Sequence, residues 1–226
     1  MRRKIIEFLF AHPWMQWLLW VYYSTLGHCK FSGMKNNSFI LRGASLYKSS
    51  FSFKGNKNIV DIEKGTIFER SKIIIKGSNN KILIDEGSYI NGLNIVLEGE
   101  NNEVCIGKEF FVLDDTRLSV VDGSKLFFGK HCMLSDKIDI RTTDNHSIID
   151  RTTHKRINYE KDVIIGDNVW IGTDVHVLKG TEIPEGCIIG AGTVITGKHD
   201  IPNSIIAGNP GREIKTNVEW QMERIK

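Results

Sequence analysis

From Ile165 onward the chain counts in sixes, and very few folds obey that count. Hexads begin at Ile165, Ile171, Val177, Ile183 and Ile189, and Ile195 opens a sixth. The first place is always aliphatic. The fifth holds Val169, Val175, Thr181, Cys187 and Thr193, all small enough for a tight corner. A helix repeats every 3.6 residues and a half-buried strand every two, so neither gives this period. Short parallel strands joined by tight turns do, when three hexads close one coil of a triangular prism. Each aliphatic residue then points inward and stacks on its counterpart one coil away. The chain is read as an all-β solenoid.

A second repeat precedes the hexads, with a period of about twenty-two residues. Gly55, Gly77 and Gly99 recur in phase, followed by Asn58, Asn80 and Asn102. Both residue types tolerate the left-handed backbone of a sharp turn. Each unit is expected to be one full coil with an enlarged corner, and the asparagines to be structural. Irregular coils over 36–135 and regular ones over 160–197 flank a polar stretch, 136–160, that breaks the count. Such an insertion must loop away from the prism, and excursions of this kind carry function.

Hydrophobic residues at 41% and charged ones at 25% indicate a folded domain, not a disordered chain. The net charge of +3 is mild, and the lysines and arginines are dispersed. A nucleic-acid partner, which needs basic residues clustered on one face, is excluded on that ground. Four cysteines, Cys29, Cys105, Cys132 and Cys187, form no CxxC pair, so the expectation is a reducing compartment. Residues 5–23 form an apolar, Trp-rich run behind Met1-Arg2-Arg3-Lys4. Glu7, His12 and Pro13 interrupt it, which makes it a poor spanning helix or signal peptide. It is expected to be helical, either packing on protein or lying peripherally at a membrane interface. The expected organisation is a helical segment over 1–30, a solenoid over 31–215 and a short helix over 216–226.

Seven histidines offer imidazoles. His12, His28, His131, His176 and His199 stand where solvation or a local bond explains them. His146 differs, because it lies in the excursion within Thr142-Thr143-Asp144-Asn145-His146-Ser147. Its hydroxyl, amide and carboxylate neighbours can orient it as a general base for a hydroxyl substrate. Asp144 and Asn145 beside it are candidates for acceptor binding. His146, His154 and His176 are three possible zinc ligands, the arrangement of gamma-class carbonic anhydrases. The close histidine pair usual in that family is missing, so no metal is expected. Cys132 has no identifiable partner as a nucleophile.

Three motifs carry a resemblance: Thr143-Asp144-Asn145-His146, Ile165-Gly166-Asp167-Asn168-Val169-Trp170-Ile171-Gly172, and Ile189-Gly190-Ala191-Gly192-Thr193-Val194 through Ala207-Gly208-Asn209-Pro210. Together, over residues 130–215, they resemble the left-handed β-helix, or hexapeptide-repeat, acyltransferases. The likeness is to the galactoside, maltose, xenobiotic and capsular-polysaccharide O-acetyltransferase group. It implies a left-handed parallel β-helix, acetyl-coenzyme A as donor, a carbohydrate acceptor, a homotrimer and a cytoplasmic location, with peripheral contact at the inner face of the membrane open. It implies His146 as catalytic base and Trp170 beside the thioester channel. Thr173 and Ala191 would lie along the pantetheine arm. Thr196, Lys198, Arg212 and Lys215 would lie toward the cofactor's far end, Lys198 within a longer turn than the family shows. N-acetylation of a nucleotide-linked amino sugar and a non-catalytic scaffold or sugar-binding module remain as alternatives.

Overall fold

Strand register reproduces the sixfold count. In the computed structural model, which describes residue 18 and residues 25–225, Ile165 pairs with Ile183, Ile171 with Ile189 and Val177 with Ile195. Partners are therefore three hexads apart, one coil. Three sheets of eight, seven and nine strands result, parallel except for the last pair of the third, and we name them the first, second and third faces in that order. The chain visits them in turn: Asp139–Arg141 on the first, Val163–Ile165 on the second, Trp170–Ile171 on the third. The hexad openers from Ile165 to Ile195 and the fifth-place residues from Val169 to Thr193 are all buried. Full burial of such an aliphatic side chain contributes roughly 1.5–3 kcal/mol before chain entropy is charged against it.

Upstream coils are wider, advancing 22 residues per rung. Their interior is correspondingly larger, and the chain fills it with Phe51, Phe68, Phe110 and Phe128, all fully buried. No phenylalanine follows Phe128 in the sequence, where the coils narrow. The recurrent asparagines form a ladder inside one corner. Asn80 Nδ2 donates to Asn58 Oδ1 at 3.0 Å, and Asn102 Nδ2 donates to Asn80 Oδ1 at 2.8 Å. Asn37 starts the ladder, accepting from Asn58 Nδ2 at 2.9 Å. Left-handed backbone belongs to Lys57, Asn79 and Asn101, the residues just before the ladder asparagines, and to the glycines. At Gly77 (φ 137°) a Cβ would fall 1.8 Å from the carbonyl oxygen of Gly99, so only glycine fits.

Three expected boundaries shift. Asp139–Arg141 is a regular strand of the first face, pairing with Arg117–Ser119 on one side and His176–Val177 on the other. The excursion therefore spans 142–162, not 136–160. No helix forms over 216–225. Instead Ser204–Gly208 and Gly211–Thr216 make an antiparallel pair at the end of the third face, and residues 217–225 follow as an irregular tail. Nine residues are too few to hold a helix alone, and Trp220 finds tertiary partners: its Nε1 donates to Asn168 O at 2.6 Å. At the other end, Lys30–Ser32 already pairs with Ser50–Ser52. The helical segment expected over 1–30 falls, apart from residue 18 and residues 25–30, outside the described residues. Among the described residues no helix is long and apolar enough to cross a membrane.

Candidate active site

The excursion is a rigid arm built at the edge where the first face turns into the second. Ile149 and Arg156 pair as an antiparallel bridge, and Ile157 N donates to Ile148 O at 2.9 Å. At the tip, Asp150 Oδ1 accepts from Thr152 N, Thr153 N and Thr153 Oγ1. Those bonds hold its carboxyl below the usual range. The base of the arm is organised by Asn158, buried in an otherwise exposed segment. Its Nδ2 donates to Asp144 Oδ2 at 2.8 Å and to His146 O at 2.7 Å, while its Oδ1 accepts from Ile148 N at 2.7 Å.

Lys179, one coil further on, locks this hub to the prism. Its Nζ donates to Asp144 Oδ2 and, at 3.0 Å, to Asn158 O. Hydrogen bonding to Lys179 is the main cause that depresses the Asp144 carboxyl. A second clasp runs from Arg156 to Glu160 and from Glu160 to Thr143 Oγ1, which accepts from Asn145 N at 3.0 Å. His146 thus has its backbone fixed from both sides, while its side chain is exposed and makes no hydrogen bond to any described residue. Asp144, expected to touch an acceptor, is engaged in holding the arm. Asn145 is exposed and adopts a left-handed φ of 64°.

Trp170 lies elsewhere. It faces outward on the third face, its Nε1 donating to Ser135 Oγ at 3.3 Å, with its ring centroid 6.1 Å from that of Trp220. Thr173 and Ala191 follow one another along the edge between the third and first faces. Gly192 N there donates to Thr173 O at 2.9 Å, and Thr173 Oγ1 donates to Asp136 Oδ1 at 2.7 Å. Backbones approach closely beside them, since a Cβ on Gly172 would meet Ala191 N and Ile189 O at 2.9 Å. Thr196 and Lys198 lie on the opposite side. Lys198 bridges to Glu182 on the second face and its Nζ pairs with Glu182 and Asp200. Arg212 and Lys215 are exposed on the last strand.

The other candidates separate. His131 pairs with Glu109 at 2.9 Å, and His199, buried, with Glu213 at 2.6 Å. His176 is outward and 3.9 Å from Asp139. Among the described residues no three His, Cys, Asp or Glu side chains converge as metal ligands within one protomer. Burial pushes the Cys132 thiol up to about 12, so it is no nucleophile. Asn158 and Lys179 carry no sequence motif and emerge only from the geometry.

The family model for the bacterial transferase hexapeptide (six repeats) matches residues 162–197. The solved structure of the polysialic acid O-acetyltransferase OatWY superposes with a TM-score of 0.80 at 30% identity, over 87% of this chain and 92% of that one. This chain belongs to the hexapeptide-repeat acyltransferases. A polysialic acid O-acetyltransferase of Escherichia coli O1:K1 is 34% identical over 102 residues, 45% of this chain and 33% of that protein. A galactoside O-acetyltransferase of Lactococcus lactis is 36% identical over 94 residues, 41% of this chain and 44% of its own. The aligned part thus spans a third to less than half of the curated relatives' lengths. In this hexapeptide-repeat acyltransferase the matched repeats begin where the arm ends, so the arm is an insertion ahead of the most regular coils.

Proposed function

We propose that this chain is an acetyl-coenzyme A-dependent O-acetyltransferase acting on a hydroxyl of a sugar or surface polysaccharide, with His146 as general base. The observation that carries the reading is an exposed imidazole whose backbone is bonded from two sides to a rigid arm. Imidazole takes the hydroxyl proton as the acceptor oxygen attacks the thioester carbonyl directly. The C–S bond then breaks, and the same proton passes to the departing thiolate. A backbone N–H on a coil edge meets the developing oxyanion, a contribution of roughly 3 kcal/mol. Tight placement of two substrates supplies several more.

The prism's own topology supports assembly. The arm leaves the edge opposite the third face, so His146 and Trp170 of one protomer belong to opposite sides. A cleft containing both needs two copies, and a homotrimer closes three such clefts by rotation. The donor lies along the edge marked by Thr173 and Ala191 and beside Trp170. Thr196 and Lys198 approach from a neighbouring copy, and Arg212 and Lys215 suit its phosphates. Such a reaction belongs in the cytoplasm, where acetyl-coenzyme A is made.

The test is acetyl transfer from acetyl-coenzyme A onto a panel of glycans, with mass detection and mild alkali treatment of the product. An alkali-labile acetyl group is expected. An alkali-stable amide would favour N-acetylation of an amino sugar, and absence of coenzyme A binding by calorimetry would favour a silent scaffold.

A further inference from the structure

Along the third face one outward residue per coil forms an apolar row: Tyr89, Phe111, Met133 and Trp170 are consecutive register partners. Tyr89 and Phe111 stack with centroids 5.3 Å apart, and Tyr89 Oη is held by Glu69 Oε1 at 2.8 Å. The C-terminal tail hangs beside this row. Trp220, anchored on Asn168 O, and Met222 form one wall of a cleft of about 1000 Å³. The facing wall comes from turns at the edge between the second and third faces and includes Glu109, Lys130 and Glu185. That volume is at the upper end of the roughly 300–1,000 Å³ typical of ligand pockets.

We propose that this cleft binds a neutral glycan chain and leads it to Trp170. The inference rests on the acetyl-transfer reading given above. Coenzyme A is assigned to the other edge of the same face, at Thr173 and Ala191, so the two tracks approach Trp170 from opposite edges. Pyranose units need an apolar floor for their C–H groups and polar groups for their hydroxyls, and the cleft supplies both. Rungs of a parallel sheet are about 4.8 Å apart, so the row from Tyr89 to Trp170 accommodates several linked sugars. The charges select among glycans. Glu109, Glu185 and Glu219 outnumber Lys130 and His131 along the walls. His131 is already paired with Glu109, and Lys130 with Asp167 at 3.6 Å. Glu185 and Glu219 remain without a cationic partner among the described residues, so a polyanion would meet those two carboxylates, and like charges in a binding surface act against the wrong ligand.

Calorimetry on the full chain tests this with three neutral hexasaccharides (of maltose, chitin and β-1,4-galactan type) and a sialic acid hexamer. At least one neutral hexamer should bind, and Phe111→Ala should weaken it about tenfold, the scale of one lost aromatic contact. The sialic acid hexamer should bind more weakly than that neutral hexamer. Glu185→Lys, on an exposed turn where folding is not at stake, should narrow the gap. Tightest binding of the sialic acid hexamer, equal binding by wild type and both variants, or no hexamer binding would overturn the proposal. So would dissociation of Phe111→Ala into smaller species on light scattering, which would make this face an interface between copies. Coenzyme A titrated into the same samples separates the failures: if it binds and no glycan does, only the cleft falls. If it does not bind, the acetyl-transfer reading falls too.

Discussion

His146→Ala is expected to lower kcat for acetyl transfer by about 10³-fold, within the range that a positioned general base contributes. The dissociation constant of coenzyme A should hardly change, because in the proposed cleft His146 meets the acceptor hydroxyl while the donor is held by other residues, Trp170, Thr173 and Ala191 among them. Stability should hardly move either, since the side chain is exposed and only the backbone of His146 is bonded to Asn158 and Asp144. Steady-state kinetics beside calorimetry checks both halves, and retained turnover would remove the base assignment. Lys179→Met should fall between wild type and this variant, because it removes one donor each from Asp144 and Asn158 O, leaving only Asn158 Nδ2 on the first and Arg156 on the second, and so loosens the arm. Its pH profile carries the diagnostic. Asp144 is depressed chiefly by Lys179, so its bonds persist until pH falls through that lowered value. Without Lys179 the carboxyl returns toward its ordinary range, and the acid-side loss of activity should begin at a higher pH than in wild type.

The second large effect concerns folding. Asn80→Leu should destabilise the protein by about 4 kcal/mol, measured as a shift in the denaturant midpoint at constant slope. The Asn80 side chain serves four bonds: it donates to Asn58 Oδ1 and Gly99 O and accepts from Asn102 N and Asn102 Nδ2. Asn58 Oδ1 keeps the Asn80 backbone N–H, and Asn102 Nδ2 keeps Glu98 O. Two backbone groups, the buried Asn102 N–H and the half-buried Gly99 C=O, are left without partners, each costing roughly 1–3 kcal/mol. Leucine adds volume at a turn already closed by Gly77 and Gly99. Asn56→Ala, at an exposed position outside the ladder and outside the left-handed region, is the control and should move stability by no more than about 0.5 kcal/mol. Equal effects at the two sites would show that the ladder carries no special share.

The hexads were readable because a coil of three six-residue sides fixes every inward position, so Ile165, Ile171 and Val177 advertise the fold by spacing alone. The wider coils upstream were readable for a different reason. A ladder of identical side chains forces Asn58, Asn80 and Asn102 into phase, though Asn37 went unnoticed as its first member. Two elements misled. Asp139–Arg141 points one residue inward and two polar ones outward, leaving too short a run for any period to register. Residues 218–225 carry a helix-like mixture, yet Trp220 is decided by Asn168 and Trp170, which lie far away in sequence. In the site, His146 stood out by its polar neighbours and by family resemblance. Asn158 and Lys179, which position it, bond across 21 residues and leave no local signature. A corner between successive coils brings them together, and only coordinates reveal that.

In the proposed enzyme His146 and Trp170 meet across the boundary between adjacent prisms. Co-expressing differently tagged His146→Ala and Trp170→Ala chains, each inactive alone, tests it most directly. In randomly mixed trimers about a quarter of the clefts receive an intact residue from both sides. Removing the two parental homotrimers leaves species with one intact cleft in three, so purified mixed trimers should regain about a third of wild-type turnover. Mixed species no more active than the two parents would place both residues in one protomer's site, or neither in any, and would contradict the account.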